Sequence, residues 1–273
     1  MTGRPQHARA LAVVAMAAAS VACSSSSTPP AAESSKPPPA AAAAKAAYFT
    51  PDPATAATLT GKVSYRGPRL RLQKLRIDED AGCQQLNRSG LLEETVIVGA
   101  GGALANVFIH VKSGLEGKQF APPPPEAMVT VDQNHCRFSP HVFGVRVGQM
   151  IRVTNSDPLT HNIHPQPKQN REWNQSQEPG APPLERRFVR PELYVRVKCN
   201  VHSWMRAYVS ALEHPYFTVT GADGSFEIPQ LPPGEYTIEA WQEKFGVQEQ
   251  RIKVEPSSRP SITFTFPGAA KTL

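Results

Sequence analysis

The chain has 273 residues, with 29 Lys and Arg against 23 Asp and Glu, giving a formal charge of +6 at neutral pH. That excess is mild and the basic residues are scattered rather than banked against aromatics, so nucleic-acid binding has no support. The 28 prolines, 18 glycines and short alternating apolar runs, with no long helical periodicity, argue for an all-β protein.

Arg4, His7 and Arg9 precede an apolar run from Leu11 to Ala22 that ends in a small-x-small pattern, the plan of a signal peptide over residues 1–22. The run is shorter than the roughly 20 residues needed to span a bilayer. Cys23 directly follows, where an exported lipoprotein carries its lipid. Ser20 departs from the Leu usual in that signal, which leaves plain secretion as the other reading. Either way export is expected, to the periplasm or outer surface, with membrane contact only through a lipid on Cys23. Residues 23–57 are mostly Ser, Pro, Ala and Thr. They lack the apolar surface to offset ordering entropy and read as a disordered tether. Loss of the leader leaves 27 basic against 23 acidic residues.

Roughly 215 residues remain from Leu59 onward, enough for one large or two small β domains. Residues 58–125 contain candidate strands at Thr60–Val63 and Leu104–Val111. The next unit, 126–214, opens with Phe138 to Val153, which reads as two strands joined by a Gly turn. They end at Asn155-Ser156-Asp157-Pro158, a turn that presents His161. Pro165 to Arg187 is Pro- and Gln-rich and reads as a long loop. Leu193, Val195, Val197 and Cys199 then alternate with Tyr194, Arg196 and Lys198, the period-two pattern of a half-buried strand. Cys199 falls on its apolar face at the strand end, and His202 and Met205 follow in a tight loop.

One Cys, two His and a weak Met form the donor set of a trigonal blue-copper site, in which sulfur suits Cu(I) and imidazole both oxidation states. Met205 is a poor zinc ligand, and zinc prefers a closed Cys and His set. A purple dinuclear centre needs a second bridging thiolate, which the loop lacks. The three-residue Cys199–His202 spacing suits a shared metal better than a nucleophile and its base. His135, His141 and His164 lie nearby in sequence. Surface or core positions are the commoner fate of such histidines, and His164 is the substitute should His161 not be the ligand. If Cys23 carries lipid and Cys199 metal, Cys83 and Cys136 remain, and an exported protein is free to join them. That bond would clip the N-terminal strands to the strand opening the metal module. The competing reading puts Cys199 in a disulfide and leaves no metal site.

The order Phe-x-Pro, apolar strand, Gly, second strand, Asn155-x-Asp157, His161-Asn162 and Cys199-x-x-His202-x-x-Met205 resembles the cupredoxins over roughly residues 127–213. The short loop is similar to that of amicyanin rather than the longer ones of plastocyanin and azurin. The resemblance implies one mononuclear copper per chain, with His161, Cys199 and His202 equatorial and Met205 axial. It implies that Asn162 ties the two ligand loops together, and that His202 reaches the surface through an apolar patch. Trp204 and Met205 would join that patch, and Arg196, Lys198 and Arg206 would steer an acidic partner. Pro191-Glu192-Leu193-Tyr194 departs from the family's usual Pro-Gly-x-Tyr.

Residues 215–268 form a different unit. Phe217–Thr220, an Asp223-Gly224 turn and Ser225–Ile228 read as a hairpin. Strands follow over Leu231–Trp241, Gln250–Val254 and Ser261–Phe266. The Asp223-Gly224-Ser225-Phe226 and Leu231-Pro232-Pro233-Gly234-Glu235-Tyr236 runs resemble the carboxypeptidase regulatory-like (transthyretin-like) domain and the similar module of rhamnogalacturonan lyases. That family's Gly-x-Val and Ala-Asn-Val strands are missing before Phe217. They occur upstream, at Gly61-Lys62-Val63 and Ala105-Asn106-Val107. The expectation is therefore a cupredoxin Greek-key sandwich inserted into a discontinuous transthyretin-like sandwich. The alternative is a cupredoxin with an N-terminal extension and a separate small sandwich.

Two functions follow from these resemblances. One is a single-electron carrier in the cell envelope, not an enzyme, with a redox partner protein. The other is an envelope binding module that recognises glycan or protein, in which copper is stored, incidental or absent.

Overall fold

The computed structural model describes residues 47–268. The signal-peptide segment, Cys23 and most of the linker lie outside the described residues. The linker's last part is packed: Phe49 donates its N–H to the Gln119 carbonyl at 2.6 Å, and its ring meets Phe120 edge-on at 5.7 Å. Ordered chain thus begins before residue 58, where the first strand was expected to start.

In chain order the elements are β1 (Ala57–Arg66), a short helix α1 (Ala81–Leu86) and β2 (Phe108–Ser113). Then come β3 (Met128–Asn134), β4 (Arg137–Ser139), β5 (Val142–Arg146), β6 (Met150–Asn155), β7 (His161–Pro165), β8 (Gln175–Gln177), β9 (Leu184–Arg186), β10 (Glu192–Lys198) and β11 (Arg206–Leu212). The chain closes with β12 (Phe217–Val219), β13 (Ser225–Leu231), β14 (Gly234–Gln242), β15 (Gly246–Val254) and β16 (Ser261–Pro267). The all-β class holds, and the segment expected to be a loop between Pro165 and Arg187 carries the short strands β8 and β9.

These strands form two sandwiches. The flanking one has the sheets β13-β1-β16 and β12-β2-β14-β15; the inserted one has β5-β11-β10-β7-β8 and β4-β3-β6-β9. Strands β1 and β2 thus complete a sandwich whose other strands lie beyond residue 216, and β2 pairs with β12 and β14. Because Phe217 stands opposite His110 across β2 and β12, the chain leaves and re-enters this sandwich on neighbouring strands. A whole sandwich can therefore be inserted there without straining either sheet.

The alternation in β1 sends Leu59, Val63 and Tyr65 inward beside Phe226, Ile228, Phe264 and Phe266. Gly61 sits in the same face because a Cβ there would lie 2.3 Å from both the Phe226 ring and the Ile262 carbonyl. Two expectations need correction. The Asp223-Gly224 turn does not make a hairpin, since β12 pairs with β2 and β13 pairs with β1, in opposite sheets. The turn is held instead by continuation of the β1–β13 ladder: Val63 N–H donates to the Gly224 carbonyl at 2.8 Å, and Gly224 has φ +72°. Residues 58–125 do not all join the flanking sandwich either. Cys83 lies on α1, not on a strand, and packs with Leu86 into the core of the inserted sandwich.

Between the sandwiches, Phe108, Val142, Leu212 and Trp241 form a third apolar cluster. The Tyr194 and Trp241 rings stack at 4.4 Å and 9°. Tyr194 takes φ +57°, which interrupts the pairing of β10 between Glu192 and Val195. That bulge turns Leu193 outward to 39% exposure, where strict alternation had placed it inward. Phe108 is fully buried at this junction, stacked on Phe217 at 5.9 Å. Phe108→Ala should cost about 3–5 kcal/mol, read as a lower urea midpoint. A midpoint unchanged within error would show that the two sandwiches do not depend on this contact.

Candidate metal centre

His161 opens β7, and Cys199 follows the last residue of β10. The loop after Cys199 closes on itself through three bonds. Met205 N–H donates to the His202 carbonyl at 3.0 Å, Cys199 N–H to the Met205 carbonyl at 3.2 Å, and His202 N–H to Cys199 Sγ at 3.3 Å. A spacing of two residues between Cys and His, and two between His and Met, is what this compact turn requires.

The donor atoms of His161, Cys199 and His202 all lie within 4.8 Å of one another. The two Nδ1 atoms are 3.0 Å apart, and Cys199 Sγ is 3.9 Å from His202 Nδ1. All three side chains are buried, as is Met205. Asn162 joins the two ligand segments, its Oδ1 accepting from Asn200 N–H at 3.1 Å and its Nδ2 donating to Asn174 at 2.5 Å. His164 is not part of the cluster; its ring bonds Glu172 and Asn200. His141 pairs with Glu243, and His135 lies beside Asn134.

Both outer ring nitrogens end on carboxylates. His161 Nε2 donates to Asp157 Oδ2 at 2.7 Å, and His202 Nε2 to Asp80 Oδ2 at 3.1 Å. In the neutral ring each bond places the proton on Nε2 and leaves Nδ1 as the metal-binding nitrogen. The expected exposed edge of His202 is therefore absent. Asp80 and the start of α1 cover the ring, and it is 2% exposed. Met205 is buried, so it forms no surface patch, and Trp204 donates its indole N–H to the Cys136 carbonyl at 3.2 Å. Arg206 is engaged by Glu93 and Glu243. Val201 and Arg196 are exposed in an open groove of about 960 Å³, together with Glu79, Gln166, Asn200 and Ser203; Lys198 and Asp80 also line it.

Two further clusters of possible donors, Asp80 with Cys83 and His202, and Cys136 with Asp157 and His161, abut the centre. Cys83 and Cys136 are bonded to each other, with sulfurs 2.03 Å apart, so neither offers a thiolate. Cys199 is the free cysteine among the described residues.

Burial opposes ionisation of the Cys199 thiol. Hydrogen bonds from His161, His202 and two backbone N–H groups outweigh it and bring the group from 9.0 down to about 6. Burial likewise opposes charge on His161, and Asp157 and Cys199 overcome it, raising the imidazole to about 9. Asp157 is itself lowered: burial works against its charge, but His161 and the backbone N–H groups of Cys136 and His135 prevail. Between about pH 6 and 9 the metal-free centre is a thiolate beside an imidazolium.

Sequence reasoning missed Asp80 and gave Asp157 no role beyond its turn. A signal existed for each. Asp80 stands three residues before Cys83, the spacing of a helix cap, and Asp157 closes the Asn155-Ser156-Asp157 turn that presents His161.

Residues 205–267 match the sequence model of the carboxypeptidase regulatory-like domain. Strands β12–β16 fall within that match. Over 57 residues the chain is 40% identical to rhamnogalacturonate lyase A of Emericella nidulans, covering 21% of this chain and 10% of that protein. The chain thus spans about a tenth of the curated relative it matches. Solved structures with a similar part include the copper-containing nitrite reductase of Thermus scotoductus SA-01, at 19% identity over 36% of this chain and 24% of that one, TM-score 0.30. A purple cupredoxin from Nitrosopumilus maritimus matches at 18% over 30% and 98%, TM-score 0.26. A reduced amicyanin variant matches at 18% over 38% and 97%, TM-score 0.28.

In the metal-free protein, the ultraviolet absorbance of the Cys199 thiolate should survive until the pH falls through about 6. Asp157→Asn weakens the neighbouring imidazolium, so the midpoint should move up towards the ordinary thiol value. Difference titration against Cys199→Ser reads both. A wild-type midpoint near 9 would contradict the pairing.

Proposed function

We propose that the chain is an exported copper protein of the cupredoxin type, carrying single electrons in the cell envelope and not acting as a catalyst. The observation that carries this reading is the burial of two imidazole nitrogens and one thiolate within 4.8 Å of each other, with a buried Met205 closing the same loop. The donor set fits the metal: thiolate and thioether are soft, and imidazole serves both oxidation states of copper. His161, Cys199 and His202 would hold one ion, with Met205 the weak fourth donor. Bound there, copper supplies a one-electron Cu(II)/Cu(I) couple.

The chain's own groups prepare that site. Asp157 and Asp80 hold the outer Nε2 of each ring and so orient Nδ1 inward, and Asn162 with its partners fixes the separation of the two loops. The Cys199 thiolate is already formed at neutral pH, so metal entry displaces a proton from imidazolium. The redox partner would dock on the groove beside the loop, where Arg196 and Lys198 stand with Glu79 and Asp80 and call for a partner surface of mixed charge. A lipid on Cys23, followed by the Ser- and Pro-rich tether, would hold the two sandwiches near a membrane.

The match of residues 205–267 to a carboxypeptidase regulatory-like domain favours a second reading, an envelope module that binds glycan or protein. Adding Cu(II) to the metal-free protein separates the two. An intense blue thiolate-to-copper absorption is expected, lost in Cys199→Ser and retained in His164→Ala. A colourless protein would sink the electron-carrier reading and leave the binding module.

A further inference from the structure

Cys83 and Cys136 do more than join two parts of the chain. The backbone N–H of Cys83 donates to Asp80 Oδ1 at 2.7 Å, and Asp80 Oδ2 accepts from His202. The backbone N–H of Cys136 donates to Asp157 Oδ2 at 2.7 Å, and the same oxygen accepts from His161. A continuous path therefore runs from one candidate ligand to the other: His202, Asp80, Cys83, the disulfide, Cys136, Asp157, His161. Each half-cystine holds, through its own amide, the carboxylate that holds one imidazole.

Neighbouring contacts keep the path short. Asp157 Oδ1 also accepts from His135 N–H at 2.7 Å, and Asn155 Oδ1 accepts from Asp157 N–H at 3.1 Å. A Cβ on Gly82 would lie 2.4 Å from Leu159, so α1 lies directly on the turn that leads to His161. The centre thus depends on a six-residue helix from outside the inserted sandwich, too short to hold its place alone.

We propose that the Cys83–Cys136 disulfide is the positioning device of the metal centre, fixing Asp80 and Asp157 so that both histidines present strongly donating Nδ1 atoms. The inference rests on the copper reading. A carboxylate on the outer nitrogen raises imidazole basicity, and its removal commonly costs 10–100-fold in metal affinity. A more basic nitrogen favours Cu(II) over Cu(I), so the disulfide holds the reduction potential down. A purely structural disulfide would act on stability instead, by restricting the unfolded chain.

The test compares wild type, Asp80→Asn, Asp157→Asn, the double variant Cys83→Ala/Cys136→Ala, and that double variant carrying Asp80→Asn. Asp80→Asn keeps an oxygen to cap α1, so its fold is protected. Cu(II) affinity, reduction potential and thermal midpoint are measured on each. The disulfide-free protein should keep its blue absorption, bind Cu(II) at least tenfold more weakly and shift to higher potential. If Cu(I) affinity is unchanged, tenfold corresponds to about 59 mV. Asp80→Asn should shift the potential in the native background and much less in the disulfide-free one, because both act through one path. A lowered thermal midpoint with unchanged affinity and potential would overturn the inference while leaving the copper reading intact. If the disulfide-free protein does not fold, the two Asn variants decide: unshifted potentials overturn it and raised potentials support it. Wild type without a blue absorption overturns both.

Discussion

Two imidazoles and a thiol are removed from water at one point, and every other feature of the centre answers that desolvation. Left alone, buried ionisable groups become neutral and an unmatched polar atom is costly. Here each outer ring nitrogen ends on a carboxylate, and the carboxylates are in turn satisfied by backbone amides. Charge is balanced inside the cluster, with the thiolate beside imidazolium and imidazolium beside Asp157. The arrangement resembles a metal site before the metal arrives: the donors already converge, and their remaining hydrogen-bonding capacity is spent on holding that convergence.

The two sandwiches supply rigidity at different ranges. Within the inserted one, β7 and β10 pair through Val197 with Pro165 and Lys198 with His164, which sets the separation of the two ligand segments. The flanking sandwich grips the far end of β10. Tyr194 stacks on Trp241, and its hydroxyl donates to Glu239 at 2.5 Å, a buried carboxylate also held by His110 and Lys112. The strand that ends in Cys199 is thus fixed at both ends, by the ligand loop and by the neighbouring domain.

Much of the fold was legible because strands declare themselves by alternation. The displaced Gly61-Lys62-Val63 and Ala105-Asn106-Val107 segments pointed to strands completed from distant sequence: the first lies in β1, and the second leads directly into β2. Turn chemistry was less decisive. Asp223-Gly224 favours a reversal of the chain, yet whether the reversal stays in one sheet depends on Val63 reaching across to Gly224, a contact between residues far apart in sequence. The candidate donors could be named from their types and spacing, and the structure brings His161, Cys199 and His202 together. The groups that orient them could not be, since Asp80 belongs to a short helix whose position is set by a bond to Cys136. Leu193 failed for a local reason: one residue of positive φ at Tyr194 inverts the faces that follow from period two.

On the proposed function, covering His202 imposes opposite demands on the centre. Excluding water from the ring limits solvent rearrangement when charge changes, but it also removes the shortest contact with a partner. The accessible side is that of Cys199. Cys199, Asn200 and Val201 border the open groove, and Val201 is 54% exposed. A partner seated there would approach the thiolate through Cys199 and the next two residues, with Asp80 at the wall of the same groove. On the proposed function, α1 insulates one face of the centre and the groove leaves another accessible. The helix and the groove then divide the two tasks that a single exposed histidine edge would otherwise combine.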